Sequence, residues 1–110
     1  MGYLRRANIY NPPPVTRSEF DASLQEAQPP AAASPELSSL WWISKNNWDR
    51  AHSIIDKAPG SDCAWVHAHL HRIEGDEANA GYWYRRAGQN KPDYGLVRER
   101  EVLLKHFLKS

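Results

Sequence analysis

Apolar residues recur every three to four positions through most of the chain, the period of a helix with one buried face. No segment shows strand-like alternation closed by hairpin turns. Ser34-Pro35-Glu36 reads as a helix start, a capping hydroxyl followed by proline at the first helical position. That helix runs through ELSSLWWISK and stops near Asn46-Asn47. Asn47 is placed to cap WDRAHSIIDKA, which ends at Pro59-Gly60. Ser61 or Asp62 starts a third helix, CAWVHAHLHRIE, ending at Gly75; Asp76 caps a fourth, EANAGYWYRRA, ending at Gly88. The last helix is expected from about Asp93 to Lys109. Its stripe is Leu96/Val97, Leu103/Leu104 and Phe107/Leu108, with Arg98, Glu99 and Lys105 outside.

The first 33 residues follow a different rule. NPPPV and QPPAAASP hold six of the eight prolines, which favour extended backbone and interrupt helices. Between them TRSEFDASLQEA offers one short helix, capped by Ser18, with Phe20 and Leu24 one turn apart. The pattern therefore divides the chain into a proline-rich arm with one short helix (1–33) and a helical domain (34–110). The arm is expected to pack through Phe20, Leu24, Tyr3, Ile9 and Tyr10, the alternative being a disordered tail.

A shift of 29 residues superimposes the two central helix pairs: Ala51 falls on Ala80, Ala58 on Ala87, Ser39 on Ala68, Asn47 on Asp76 and Ile55 on Tyr84. Small residues at matching positions let two antiparallel helices approach backbone to backbone, while large neighbours fill the flanks. One hairpin cannot bury its own apolar face, so a second hairpin and a closing helix must stack on it. The expected fold class is all-α: two stacked antiparallel hairpins, a C-terminal helix and an irregular N-terminal arm.

GDEANAGYWYRRAGQNKP (75–92) resembles the second helix of a tetratricopeptide or Sel-like repeat. Gly75-Asp76 matches the turn, Ala80 and Ala87 the small contacts, Tyr84 the aromatic between them and Pro92 the terminal proline; Ala68 matches the small residue of the first helix. NNWDRAHSIIDKAP (46–59) is a weaker second copy. The spacing of 29 is shorter than the roughly 34 of tetratricopeptide repeats, and His67 and His71 stand where apolar residues are usual. WVHAHLHRIEGD and NAGYWYRRAG also resemble a group of small, functionally uncharacterised bacterial and fungal proteins, a likeness that supplies no activity.

Composition narrows the function. With 14 Lys+Arg against 13 Asp+Glu in 110 residues, the net charge of +1 lacks the basic excess of a nucleic-acid binder. No stretch approaches the length of an apolar membrane span and no secretory signal is visible, so a soluble cytoplasmic protein is expected. No phosphate-binding glycine loop, dinucleotide fingerprint, nucleophile elbow or paired-cysteine motif appears, and no cofactor is implied. Cys63 is the single cysteine, near a helix start that would lower its pKa and one turn from His67. That is at best a weak thiol–imidazole pair, and a small buried hydrophobe is the usual fate of such a residue.

The chemistry concentrates in WVHAHLHR (65–72). His67 and His71 share a helix face, and His69 lies well over a quarter-turn away. A metal needs a third ligand; Cys63 is two turns from His71, no HExxH is present, and Glu74 or Asp76 would need a chain reversal, so no metal site is assigned. The structural reading has His67 and His71 hydrogen-bonding across to Tyr82 or Tyr84. A third reading places them with Tyr82, Tyr84 and Arg85 or Arg86 in a polar pocket for an anionic small molecule or acid–base chemistry. Trp65, His69 and Arg72 follow i, i+4, i+7. In repeats of the resembled kind the first helices line the concave surface, so these three become the expected anchors for a peptide, a partner protein or a second copy of the chain. The opposing reading packs Trp65 under the C-terminal helix and pairs Arg72 with Glu74 or Glu77. Trp41-Trp42 should split between core and arm or partner, and Arg85-Arg86 reads as a solvated helix end. The function expected is a non-enzymatic binding scaffold; the alternative is a small-molecule site or enzyme around the His/Tyr pocket.

Overall fold

A computed structural model describes residues 15–109. These residues are all-helical: α1 Arg17–Ser23, α2 Pro35–Ser44, α3 Trp48–Ile55, α4 Ser61–Ile73, α5 Glu77–Ala87 and α6 Leu96–Phe107. An isolated parallel bridge joins Thr16 to Lys109. None of the helices is long and apolar enough to cross a membrane.

The helix starts follow the side chains able to satisfy free backbone N–H groups. Ser34 accepts from the Leu37 amide with Pro35 at the first helical position, Asn47 accepts from Arg50, and Asp76 from Asn79. Gly88 ends α5 in the left-handed conformation at φ 70°. Three boundaries differ from expectation, while the start of α4 agrees with it. Thr16, rather than Ser18, caps α1, because it forms a reciprocal capping box with Glu19. Helix α3 ends at Ile55, three residues early, with Asp56 as its C-cap. Helix α4 starts at Ser61 behind Gly60 without a side-chain cap. Helix α6 begins only at Leu96, after Gly95.

The internal repeat is visible in the backbone. Residues 45–47 join α2 to α3 and residues 74–76 join α4 to α5, and the two turns have the same hydrogen bonds. The Asn47 amide donates to the Trp42 carbonyl at 2.8 Å, and the Asp76 amide to the His71 carbonyl at 2.9 Å. Asn46 and Gly75 occupy the same left-handed position, φ 60° and 84°. Asparagine is the residue other than glycine that tolerates this region best. The close contacts fall where the small residues predict: Ser39, Ala51, Ala68 and Ala80 are fully buried. Ser39 donates its hydroxyl to the Ala51 carbonyl at 2.9 Å, a direct measure of how near α2 lies to α3. Ala58 and Ala87, at the ends, stay partly exposed.

One main core joins all of this to the arm. Trp41, Leu40, Ile55, Val66, Leu70 and Leu103 sit in it with Phe20 and Val15. Trp41 donates its indole N–H to Ser23 Oγ at 2.9 Å, and the Lys45 ammonium donates to the Leu24 carbonyl. Both rings of the Trp pair are buried, packed edge-on, with the Arg50 guanidinium over Trp42. Residues 15–33 thus share the core of the helical domain. Tyr3, Ile9 and Tyr10 lie outside the described residues.

Helix α6 packs on α4 and α2, the first helix of each pair. That placement decides which side chains of α4 remain accessible. Its stripe also departs from expectation: Glu99 is 1% exposed while Val97 is 71% exposed. Glu99 shares a face with Leu96 and Leu103, and α4 supplies the partners that let it go inside.

Candidate functional site

Helix α4 divides its imidazoles between two sides. His69 faces α6. Its Nδ1 lies 2.7 Å from Glu99 Oε1, Arg72 Nη1 donates to the same oxygen at 3.0 Å, and the Tyr84 hydroxyl donates to Oε2. The second amino group of Arg72 donates to the Tyr94 carbonyl. Burial alone would raise the Glu99 pKa; the hydrogen bonds from His69, Tyr84 and Arg72 outweigh it and hold the carboxyl below its usual range. Tyr84 moves the other way, its pKa raised by burial and by the carboxylate it donates to.

His67 and His71 face α3 and α5. There they meet His52. His67 Nε2 lies 3.1 Å from His52 Nε2, and one ligand nitrogen from each of the three histidines falls within 4.8 Å of the others. Tryptophans hold two of the rings: Trp48 stacks on His52 at 4.7 Å between centroids, and Trp83 on His67 at 3.9 Å. Trp48 is itself anchored by its indole N–H on the Leu70 carbonyl. His71 sends Nδ1 to Glu74 Oε1 at 2.6 Å, leaving Nε2 as its free nitrogen. Burial, then the neighbouring His71 and His52, push the His67 pKa down to about 4, so this ring is neutral with an available lone pair near pH 7.

An apolar groove of about 330 Å³ opens where the ends of four helices meet. Ile43 and Asn46 come from α2 and its turn, Trp48 from α3, Ile73 from α4, and Leu96, Val97 and Arg100 from α6; buried His69 forms part of the wall. Ile73, Leu96 and Val97 are the exposed aliphatics of the described residues. Arg100 makes no ion pair within 4 Å among those residues.

The expected sites are redistributed. Of Trp65, His69 and Arg72, only His69 touches the groove, and it is 1% exposed. Arg72 is tied to Glu99 on α6 rather than to Glu74 or Glu77. Trp65 packs edge-on against His106 and Phe107 of α6. The reason is common to all three: α6 covers the face of α4 that was expected to be open. The pocket of His67, His71, Tyr82, Tyr84 and Arg85 is not assembled either. Tyr84 points to Glu99, Tyr82 is 44% exposed and accepts a hydrogen bond from Arg86, and Arg85 is exposed. Cys63 is the small buried residue that was expected, and the structure reverses only the lowered pKa of the thiol–imidazole reading. It is buried 3.9 Å from a Glu36 carboxylate oxygen, and burial together with Glu36 and Asp62 pushes its pKa up to about 11, so no thiolate forms near neutrality.

Two participants escaped sequence reasoning. His52 stands one turn after Trp48, a spacing that puts both rings on one face of α3; the stacked pair follows from it. Glu99 stands four residues before Leu103 and three after Leu96, which marks it as a residue of the buried face. No family model matches the chain, and neither a curated protein nor a solved structure matches it.

Proposed function

We propose that the protein is a non-enzymatic binding module, a short tetratricopeptide-like stack of two hairpins that takes a peptide segment of a partner protein. The occupant we assign to the groove is a segment with one or two apolar side chains beside an acidic residue. The carrying observation is Val97, 71% exposed, continuous with Leu96 and Ile73 around a groove whose rim holds Arg100, a guanidinium with no ion pair among the described residues. Isolated exposed aliphatics are ordinary, whereas a contiguous set around a concavity fits recognition. A carboxylate over Arg100 gains a charge-assisted hydrogen bond, and the apolar wall receives the neighbouring side chain.

Selection of random 12-residue peptides against immobilised protein tests the assignment. Enriched sequences should pair Leu, Ile or Phe with Asp or Glu three or four positions away, and should lose binding to Val97→Asp and Arg100→Glu. Enrichment that survives both substitutions, or the absence of any shared pattern, overturns it. A concentration-dependent dimer abolished by Val97→Asp would reassign the groove to a second copy of the chain.

A further inference from the structure

We infer that His52, His67 and His71 form a binding site for one first-row divalent transition-metal ion, with zinc the ion of first choice. This site lies on the α3 side of α4; it shares the Trp48 ring with the groove, whose lining contains none of the three histidines.

The geometry carries the inference. Two ring nitrogens face each other at 3.1 Å, and the third histidine brings a nitrogen within 4.8 Å of both. Zinc–imidazole bonds of about 2.05 Å in a tetrahedron set the nitrogens about 3.3 Å apart. The His52–His67 pair already has that edge. His71 reaches it with a shift of at most about 1.5 Å, which a side-chain torsion supplies.

The surroundings match a ligand set. Glu74 accepts from His71 Nδ1 at 2.6 Å, which fixes the tautomer and turns Nε2 outward, the usual role of a carboxylate behind a metal-bound imidazole. Trp48 and Trp83 hold the planes of His52 and His67 by stacking. The half-buried His52 leaves an approach from solvent, so a fourth position remains for water. The scaffold is rigid: His67 and His71 stand one turn apart on α4, and α3 packs directly on that helix.

The opposite face of α4 shows what a closed structural histidine looks like here. His69 has a carboxylate, a guanidinium and a phenol around one shared centre. At the His52–His67 contact one ring nitrogen must donate and the other accept, with no carboxylate between them. A cation accepts all three nitrogens at once. Three imidazoles without thiolate suit zinc, copper, nickel and cobalt, whose affinities rank by the general series for divalent ions. A competing set, His71 with Glu74 and Asp76, also has ligand atoms within 4.8 Å. Asp76 caps α5 through Oδ1 and accepts from the Asn79 side-chain amide at Oδ2, which favours the three-histidine set.

The test uses the full chain without a histidine tag, stripped with a chelator and titrated with zinc chloride in a calorimeter and with cobalt chloride in a spectrophotometer. One ion per chain is expected, with the intense visible bands of four-coordinate cobalt. Glu74→Gln should weaken zinc binding about 10–100-fold, and His52→Gln should remove saturable uptake. His106→Gln, outside the cluster, should leave it unchanged. Uptake that survives His52→Gln but not Asp76→Asn transfers the ion to the acidic set and overturns the proposal; so does the absence of saturable binding. Should His52→Gln fail to fold, nitrogen hyperfine structure in the copper-loaded wild type decides. Three equivalent imidazoles support the site, and one or none refutes it.

Discussion

His69 and the His67–His71 pair stand on opposite sides of one helix, and their surroundings obey different electrostatic rules. On the α6 side a buried carboxylate meets a guanidinium, an imidazole and a phenol, so every charge is answered within the protein. On the α3 side three imidazoles approach one another with two tryptophans as walls and no opposite charge among them, Glu74 standing behind His71. The first arrangement is complete as it stands. In the second, His52 and His67 bond only to each other and His71 to Glu74, and a cation is the common partner we propose for all three. A buried polar cluster therefore says little by its burial; what it can do depends on whether its donors and acceptors close on each other.

Breaking the closed cluster should have the largest effect. Glu99→Ala leaves His69, Arg72 and Tyr84 without their common acceptor, and a cost of about 3–5 kcal/mol is expected in urea unfolding at pH 7. The same carboxylate shapes the acid limb. Its folded pKa lies below that of the unfolded chain, so its contribution is present above about pH 4.5 and is lost as pH falls through the depressed folded value. Glu99→Gln should flatten that limb of the stability–pH curve.

Completing the open cluster comes next. Zinc at a hundredfold excess over its dissociation constant should stabilise the wild type by about 2.7 kcal/mol, with no gain in His52→Gln. A rise of equal size in both proteins would deny the two clusters their difference. Ser39→Ala gives a scale between the extremes: it removes one neutral hydrogen bond from the α2–α3 seam and should cost about 1 kcal/mol in the same unfolding assay. The smallest change is expected at the groove. Val97→Asp should shift stability by no more than about 0.5 kcal/mol while abolishing selected-peptide binding, because its side chain is largely in water already.

Local signals were legible wherever one residue satisfies its own neighbours. Ser34, Asn47 and Asp76 cap the helices they were expected to cap, and Gly88 ends α5. The 29-residue offset marks both turns, down to the paired left-handed residues Asn46 and Gly75. Thr16, not Ser18, has a glutamate three residues on, Glu19, and the reciprocal bond this spacing allows outweighs a lone hydroxyl.

The functional residues were harder to read for a different reason. The histidine stretch drew notice by itself, yet which histidines stand together is a question of which helix lies across from them. His52 is 15 residues from His67 in sequence, and Glu99 is 30 from His69. Their pairing depends on the packing of α3 and α6 against α4, which no local spacing encodes. Trp65 and Arg72 show the same dependence: both are where the helical period puts them, and α6 lies over them.

The chain by itself determined the helices, their caps, the doubled hairpin and the small residues at its seams, since each of these is decided by neighbours within a turn or by close backbone approach. Only the tertiary structure decided that α6 would cover the first helices, carry Glu99 inward and leave Val97 out, and that α3 would bring His52 to His67 and His71. Side chains distant in sequence acquire their chemistry from the helix packed opposite, and that neighbour is settled by burial over the whole molecule.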